Sequence, residues 1–331
     1  MQHHAFRPHW LRLAWGTCVA LWLAPPLCAQ TIAVPDVPGT TTAAVEVLVR
    51  GTWGTAPGQF GKTDEASRPG PMDFALTDDG LYVLDPVNAR VQLFGWDGGF
   101  RTVVPIGTKT ADFLTVDERG RIIVLDAFVR RELRIFSPDG KRIAQADLPD
   151  TLHLPSAVLT VGEHVYVEER HSRVYEVGIA GGAPARVLDT LPGRPMAARG
   201  APIQAAKAGT HGVAIRTACA AGAEPLSLQF ARPVNAIVGI ESDERGHLYV
   251  AVTTPRDAAR DAWKSDIVLA VIDSDGRLAG TLCLSDAYVT DHYRKLAVSR
   301  AGEIIQMQTT EDEVRFVRWT LPTTAAARAA L

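Results

Sequence analysis

The feature that most constrains the fold of this chain is a repeated unit in which a glycine turn leads into a short apolar strand. Glycine reaches the positive φ that tight hairpin turns demand, and acidic residues before it favour turn conformations. The aliphatic and aromatic residues after it suit a pleated, buried strand. The turn glycines of the six copies are Gly80, Gly120, Gly162, Gly246, Gly302 and, in the faintest copy, Gly212. The unit therefore predicts successive β-hairpins.

The spacing of the copies indicates how the hairpins are grouped. Gly80 and Gly120 are 40 residues apart, and Gly120 and Gly162 are 42 residues apart. A second turn, of the Asp-Gly type, recurs inside the unit at 97–98, 139–140 and 275–276. A period near 40 residues with about four strands per unit is typical of β-propellers. We therefore predict an all-β, six-bladed β-propeller with blades at about 70–107, 108–149, 150–190, 191–233, 234–284 and 285–320.

The two ends of the propeller segment predict how its ring closes. The last blade shows three strands, whereas Val45–Arg50 is a strand with no blade of its own. We predict that this N-terminal strand completes the last blade and closes the ring, which leaves no long exposed sheet edge. The predicted boundaries are a signal peptide at 1–29, a linker at 30–42, the propeller at 43–320 and a disordered tail at 321–331.

Residues 1–29 have the layout of a secretory signal peptide. Arg7 and Arg12 precede an uncharged apolar stretch, which ends at the small residue Ala29, and this order is typical of a cleaved signal. Cleavage after Ala29 predicts an exported protein of the periplasm, the cell envelope or the exterior. Two alternatives stay open. One is an uncleaved anchor, which the short, proline-broken stretch disfavours; the other is a lipoprotein signal around Cys28.

The charge of the mature chain argues against a nucleic-acid partner. The full chain has 34 Lys and Arg against 37 Asp and Glu. Removing Arg7 and Arg12 with the signal leaves 32 basic and 37 acidic residues, a net charge of −5. Without excess positive charge, nucleic-acid binding has no electrostatic basis. Among the remaining residues no second apolar run is long enough to span a membrane.

Two cysteines, Cys219 and Cys283, remain after removal of the signal. They fall in neighbouring predicted blades, and an oxidising compartment allows two such thiols to pair. The sequence leaves this disulfide open, because pairing requires Cα atoms within about 5.5–6 Å of each other. One disulfide could not frame a fold of this size, so the core must come from apolar burial.

The first two copies of the repeat carry a recognisable string of residues. The string comprises Gly58-Gln59-Phe60, Gly80–Asp85, Asn88, Arg90 and Val91–Phe94 in the first copy, and Asp126, Arg134, Ile135 and Phe136 in the second. This pattern resembles the NHL repeat over residues 55–145, and the later copies depart from it. The resemblance implies a six-bladed β-propeller of NHL or TolB-like type, and it does not by itself imply a function.

Propellers of the kind that this chain resembles contact ligands through the loops between second and third strands and the loops between blades. The candidate binding residues on these loops are Arg130, Arg131, Glu169, Arg170, His171, Arg256, Trp263 and His292. Trp263 lies in a long loop and is either a partner anchor, since interfaces favour tryptophan, or packed on its own blade. The alternative for the charged residues is a solvated face with weak ion pairs.

The sequence favours a binding module over an enzyme. It contains no two-histidine zinc motif, serine elbow or phosphate-binding glycine loop. We predict an exported, monomeric, non-enzymatic binding or scaffold module for a protein, a peptide or an envelope glycan, with no cofactor. The alternative is a hydrolase or lyase with a divalent metal in the central channel. Its lactonase type uses Asn ligands, whereas its amidating-lyase type uses His ligands; the candidates in the mature chain are Asn88, Asn235, His153, His211 and His292.

Overall fold

The computed structural model describes residues 30–36, 45–64, 69–170, 173–178, 185–196, 202–217, 225–256, 265–286 and 288–321. Within these ranges the chain forms six four-stranded sheets. The helical structure of the described residues is a single 3₁₀ turn at Pro86–Asn88. The predicted signal peptide at 1–29 lies outside the described residues, as does the predicted tail beyond Leu321. None of the helical structure in these ranges is long and apolar enough to cross a membrane.

The blades follow one another along the chain, after two strands that precede them. The first two strands are β1 (Thr31–Val34) and β2 (Val45–Thr52). Blades 1 to 3 contain β3 (Asp73–Thr77), β4 (Gly80–Asp85), β5 (Arg90–Phe94), β6 (Phe100–Pro105), β7 (Phe113–Val116), β8 (Ile122–Asp126), β9 (Glu132–Phe136), β10 (Arg142–Asp147), β11 (Pro155–Val161), β12 (His164–Glu169), β13 (Arg173–Gly178) and β14 (Arg186–Leu191). Blades 4 to 6 contain β15 (Ile203–Ala208), β16 (Gly212–Thr217), β17 (Leu226–Phe230), β18 (Ala236–Ser242), β19 (Leu248–Pro255), β20 (Ser265–Ile272), β21 (Leu278–Ser285), β22 (Leu296–Val298), β23 (Ile304–Thr309) and β24 (Glu313–Trp319).

The first strands of the blades surround a central channel. β3 contacts β7, β7 contacts β11, β15 contacts β18, β18 contacts β22, and β22 contacts β3. The apolar cores lie between adjacent blades, so each blade buries both of its faces. Between blades 6 and 1, for example, Phe60, Phe74 and Phe316 are fully buried, and the rings of Phe74 and Phe316 meet edge to face at 5.3 Å. This arrangement confirms the predicted all-β, six-bladed β-propeller.

Gly80 shows why the repeat requires glycine at its turn. Its φ is 140°, a conformation that residues with a side chain rarely adopt. A Cβ at this position would lie 2.0 Å from the carbonyl oxygen of Phe94. Because that oxygen belongs to the backbone of the paired strand, it cannot move aside, and the turn excludes every other residue.

Strand β2 is the outermost strand of blade 6. It pairs in antiparallel fashion with β24, from Val45 opposite Trp319 to Thr52 opposite Glu313, with a bulge between Val47 and Val49. Val49 is only 2% exposed and packs in the core between blades 6 and 1. The strand expected at Val45–Arg50 is thus present and pairs with the last strand of the chain.

Strand β1 corrects the prediction that residues 30–42 form a linker. Thr31–Val34 pairs in parallel with β17 and is the outermost strand of blade 4. Ile32 and Val34 are buried, whereas Thr31 and Ala33 are exposed, which is the alternation of a half-buried strand. Four residues are too few for a periodic signal, and the partner strand lies almost 200 residues away in the sequence. Sequence reading therefore could not find this pairing.

Candidate functional site

The strand directions define two faces of the ring. Successive strands of a blade are antiparallel, so the loops between blades and the loops between second and third strands lie on one face, here called the loop face. The turns between first and second strands lie on the opposite face, the turn face. A cavity of about 280 Å³ opens at the channel on the loop face, and a cavity of about 490 Å³ opens on the turn face.

A layer of ion pairs separates the two cavities. Arg194, Glu241 and Arg294 line both of them. Arg194 donates from Nε and Nη2 to the two carboxylate oxygens of Glu168, at 3.1 and 2.8 Å. Arg294 donates from Nε to Oδ1 of Asp73 at 2.7 Å. Oε1 of Glu241 accepts from both arginines, at 3.4 and 3.3 Å. The channel is thus crossed by a continuous charged network.

The charged network contacts all six blades. Asp73 lies on blade 1 and accepts the backbone N–H of Leu114 on blade 2, at 2.8 Å. Glu168 lies on blade 3, Glu241 lies on blade 5, and the two arginines precede the first strands of blades 4 and 6. Because the network makes contact with every blade, it fixes the blades relative to one another at the centre of the ring.

Burial and charge shift the pKa values in this network in a consistent way. Burial raises the pKa of Asp73 above its usual range, although Arg294 opposes this shift. Burial acts to lower the pKa of Arg194, yet the charges of Glu168 and Glu241 raise it above its ordinary value. Both arginines therefore stay charged, and each depends on carboxylates from other blades.

A cluster of aromatic side chains lies at the cavity on the loop face. Phe113 and Tyr293 line it, and their ring centroids are 4.7 Å apart. Phe128 lies 6.4 Å from Phe113 and 6.0 Å from Tyr293. Phe128 and Tyr293 remain 45% and 44% exposed. We call Phe113, Phe128 and Tyr293 the aromatic mouth. Val129 and Leu154, on neighbouring loops of the same face, are 68% and 43% exposed.

Two buried carboxylates hold the loop that carries Phe128 and Val129. Asp112 accepts the backbone N–H group of Ala127 at 2.8 Å. Burial, with a contribution from Asp126, raises the pKa of Asp112 to about 6. Asp126 accepts the N–H groups of Val129 and Arg130 through Oδ1. The exposed side chains of Phe128 and Val129 therefore belong to a loop whose backbone is held by several hydrogen bonds.

The cavity on the turn face is lined differently. Its walls carry half-buried aliphatic side chains from the first strands of four blades, which are Leu76, Val116, Val161 and Val298. Its rim is formed by turn residues, among them Asp78, Asp79, Glu118 and Arg300. Arg300 donates to Glu118 at 2.9 Å. Among the described residues, this rim carries no exposed aromatic ring, whereas the loop face carries Phe128 and Tyr293.

The structure places four of the sequence-predicted binding residues beside the aromatic mouth, on blades 2 and 3. Arg131 donates to the carbonyls of Ala127, Pro149 and Leu152 and so fastens two loops together. Glu169 accepts the backbone N–H groups of His153 and Leu154. Arg130 and Arg170 are exposed, and their guanidinium groups have no hydrogen-bond or ion-pair partner among the described residues.

The other predicted residues of this set are distributed over the ring or lie outside the described ranges. Arg256 donates to Asp266 at 2.8 Å and to Ser285 at 3.1 Å, so its donors are engaged within blade 5. Cys283 is buried on β21, and Sγ accepts a hydrogen bond from Arg232 at 3.3 Å. The residues outside the described ranges are His171, Cys219 and Trp263. The disulfide and the Trp263 anchor therefore stay predictions.

His292 lies in the connection to blade 6 and is enclosed. Its ring packs edge to face on Tyr288 at 3.9 Å, and Nδ1 is 3.1 Å from the carbonyl oxygen of Thr290. Its Nε2 is buried and has no hydrogen-bond partner within the described part of the chain. Burial lowers the pKa of His292 to about 4. The geometry therefore describes a neutral structural histidine rather than one that faces a partner.

The low pKa of His292 predicts an acid-dependent loss of stability. The unfolded chain takes up a proton near pH 6.5, whereas the folded chain resists it until about pH 4. Because of this difference in proton binding, the free energy of unfolding of the wild type should fall by about 3 kcal/mol more than that of a His292→Gln variant between pH 7 and pH 4. Urea titrations at several pH values measure this difference. His153→Gln, at an exposed histidine, should follow the wild type; parallel curves for His292→Gln would contradict the assignment.

The residues of the aromatic mouth and the charged network were largely missed by sequence reading. A signal was nevertheless present, because an Asp-Phe pair occurs where the first strand of two blades begins, as Asp73-Phe74 and as Asp112-Phe113. Phe128-Val129 was a second signal, because two large apolar residues follow a strand that ends in Asp126. Among the described residues, no three His, Cys, Asp or Glu side chains converge on a common point; the alternative with a divalent metal in the channel stays a prediction.

Comparison with known proteins supports the architecture. A member of the DUF4221 family from Bacteroides vulgatus superposes with a TM-score of 0.50 at 9% identity, over 85% of this chain and 99% of that one. The chain shares the propeller fold. Hydrazine synthase from Kuenenia stuttgartiensis matches with a TM-score of 0.49 at 14% identity, over 76% of each chain. Virginiamycin B lyase from Staphylococcus aureus matches with a TM-score of 0.47 at 11% identity, over 83% of this chain and 99% of that one.

These likenesses extend to the fold alone. No protein-family model matches the sequence, and no curated protein is significantly similar to it. The NHL or TolB-like assignment therefore stays a prediction at the level of the family, while the propeller architecture is established. Since unrelated activities share this fold, the function has to be argued from the loop face itself.

Proposed function

We propose that this propeller is an exported binding module that captures a peptide segment of a partner protein at the aromatic mouth. The observation that carries the proposal is the exposure of Tyr293, which lines a cavity of about 280 Å³, together with Phe128, which packs beside Tyr293, and Val129 on the same loop as Phe128. Large apolar side chains exposed together mark interaction sites. Aromatic residues are also the commonest anchors of protein interfaces.

The fastening of the loop strengthens this proposal. Asp112 accepts the backbone N–H group of Ala127, and Asp126 accepts those of Val129 and Arg130. A loop held in this way keeps Phe128 and Val129 exposed instead of letting them turn inward. Preorganisation of this kind lowers the conformational entropy lost on binding.

The chemistry of the cavity favours a peptide over a glycan. A glycan needs many free hydrogen-bonding groups for its hydroxyls, whereas the charged groups at the floor are already paired with one another. The walls offer Phe113, Tyr293 and Leu296, which suit an apolar side chain. The export signal predicted at 1–29 would place this encounter in the periplasm, the cell envelope or the exterior.

Selection from a displayed library of random twelve-residue peptides tests the proposal. Wild-type protein should enrich peptides that the double variant Phe128→Ser, Val129→Ser does not retain, because the variant removes the apolar contact. Both side chains are substantially exposed, so the melting temperature of the variant should stay close to that of the wild type.

A matched control makes the selection specific for the site. Ile143 and Leu188 are 49% and 61% exposed and lie on the outer strands β10 and β14. The double variant Ile143→Ser, Leu188→Ser should retain the enriched peptides with unchanged affinity. If no peptide depends on Phe128 and Val129, or if both variants lose binding equally, the proposed function is wrong.

A further inference from the structure

We infer that the peptide captured at the aromatic mouth is acidic next to its apolar anchor. This inference rests on the proposed function and adds the charge of the partner. Its basis is a group of cations over blades 2 and 3, here called the cationic arc, which comprises Lys109, Arg130 and Arg170. All three are exposed, and none has a side-chain hydrogen bond or ion pair among the described residues.

The cations of the loop face differ in their pairing. Over blades 2 and 3 the exposed or half-exposed ionic groups are Lys109, Arg130, Arg131, Arg170 and Arg173 against Asp147, Asp150 and Glu169. Over blades 6 and 1 several cations of similar exposure are already paired with acids: Arg50 and Arg315 with Glu313, Lys62 with Glu311, and Lys295 with Asp286. The mature chain is net acidic, so the unpaired cations beside the aromatic mouth are opposite in sign to the net charge of the molecule.

The cations belong to the same fastened elements as the apolar anchors. Arg130 directly follows Phe128 and Val129, and its backbone N–H is bound by Asp126 at 2.8 Å. Lys109 stands between two threonines, Thr108 and Thr110, whose hydroxyls both donate to Asp126. A single buried carboxylate therefore positions the loop of Arg130 and the segment of Lys109 together.

The backbone of Arg170 shares a left-handed conformation with the corresponding loops of two other blades. Its φ is 50°, and Ala89 in blade 1 and Arg131 in blade 2 have φ values of 52° and 54°. The Arg131 side chain binds three carbonyl groups. The Arg170 side chain makes no such contact with the described residues and stays exposed, so it is available to a partner.

Charge complementarity then defines the partner. An apolar side chain in the aromatic mouth brings its flanking residues over blades 2 and 3, where acidic side chains meet Lys109, Arg130 and Arg170. Exposed charges of this type act mainly on the association rate and on the salt dependence of binding. The chemical class that fits is an extended segment with one aromatic or branched aliphatic residue beside two or more Asp or Glu residues.

The peptides that depend on Phe128 and Val129 provide the test. We expect them to be enriched in Asp and Glu next to an apolar residue. A synthetic peptide of the most enriched sequence should bind the triple variant Lys109→Ser, Arg130→Ser, Arg170→Ser roughly tenfold more weakly than the wild type. Fluorescence anisotropy at 50 and 300 mM NaCl should show that salt weakens binding to the wild type and scarcely affects binding to the variant.

The control removes the same amount of charge from the turn face. Lys141, Arg245 and Arg277 are exposed in turns of that face, and their triple serine variant should bind the peptide as the wild type does. If the peptides depend on Phe128 and Val129 but show no acidic bias, the inference is overturned while the proposed function stands. If no peptide depends on those two residues, both fail.

Discussion

A chain that begins at Trp53 should unfold with a free energy more than about 5 kcal/mol below that of a chain that begins at Val45. The two chains differ only in β2, and both lack β1, so the difference isolates the outermost strand of blade 6. Val49 is 2% exposed in the core with Phe60 and Phe316, and burying a valine contributes about 1.5–3 kcal/mol. The hydrogen bonds with β24 add about 0.5–1.5 kcal/mol each.

Thermal unfolding of the two chains measures this effect, and the expected difference in Tm is about 10 °C or more. A point substitution separates packing from chain length. Val49→Asp should reproduce most of the loss, because it places a charge in the core between blades 6 and 1. Val47→Asp is the control, since Val47 is 38% exposed on the same strand. Equal melting of the two chains would show that β2 does not hold the ring together.

Replacing Arg194 by methionine should lower the free energy of unfolding by about 3–5 kcal/mol. Glu168 is 0% exposed and receives two hydrogen bonds from Arg194, so the substitution leaves a buried carboxylate without its cation. Glu241 loses one of its two arginines at the same time. Chemical denaturation of both proteins at pH 7 measures the difference directly.

A second substitution shows whether the loss comes from the stranded charge. Adding Glu168→Leu to Arg194→Met removes both partners of the buried pair, and replacement of both partners by apolar residues is often close to neutral. The double variant should therefore be more stable than Arg194→Met alone. Arg119→Met is the control, because Arg119 and its partner Glu163 are 63% and 58% exposed, and such pairs contribute about 0–1 kcal/mol. A loss of similar size in Arg119→Met would contradict the special role of the buried network.

The repeat could be read from the sequence because its physical requirements are local. At Gly80 the turn needs a residue without a Cβ, and the strand after it needs a run of apolar residues, so both leave a visible pattern. Strand β2 could be placed because the last blade visibly lacked a strand. Strand β1 could not, since its four residues form no period and their partner, β17, is far away in the sequence.

The candidate site was only partly predictable for a related reason. The loops that form it follow from the repeat, and Arg130, Arg131, Glu169 and Arg170 were found on them. Contacts between loops decide which of these side chains stay exposed. Arg131 and Glu169 bind neighbouring backbone groups, whereas Arg130 and Arg170 stay exposed. His292 belongs to the same loops and is enclosed instead, as its packing on Tyr288 shows.

The sequence by itself determined the all-β architecture, the number of blades and the turn glycines of five blades, because these depend on residues close together in the chain; in blade 4 the glycine with positive φ is Gly209 rather than Gly212. Only the tertiary structure decided what stands at the centre of the ring. Asp73, Glu168 and Arg194 come from three blades and are separated by up to 121 residues, and no local pattern marks them as partners. The aromatic mouth has the same origin, since Phe128 and Tyr293 meet only when blades 2 and 6 have been arranged around one channel.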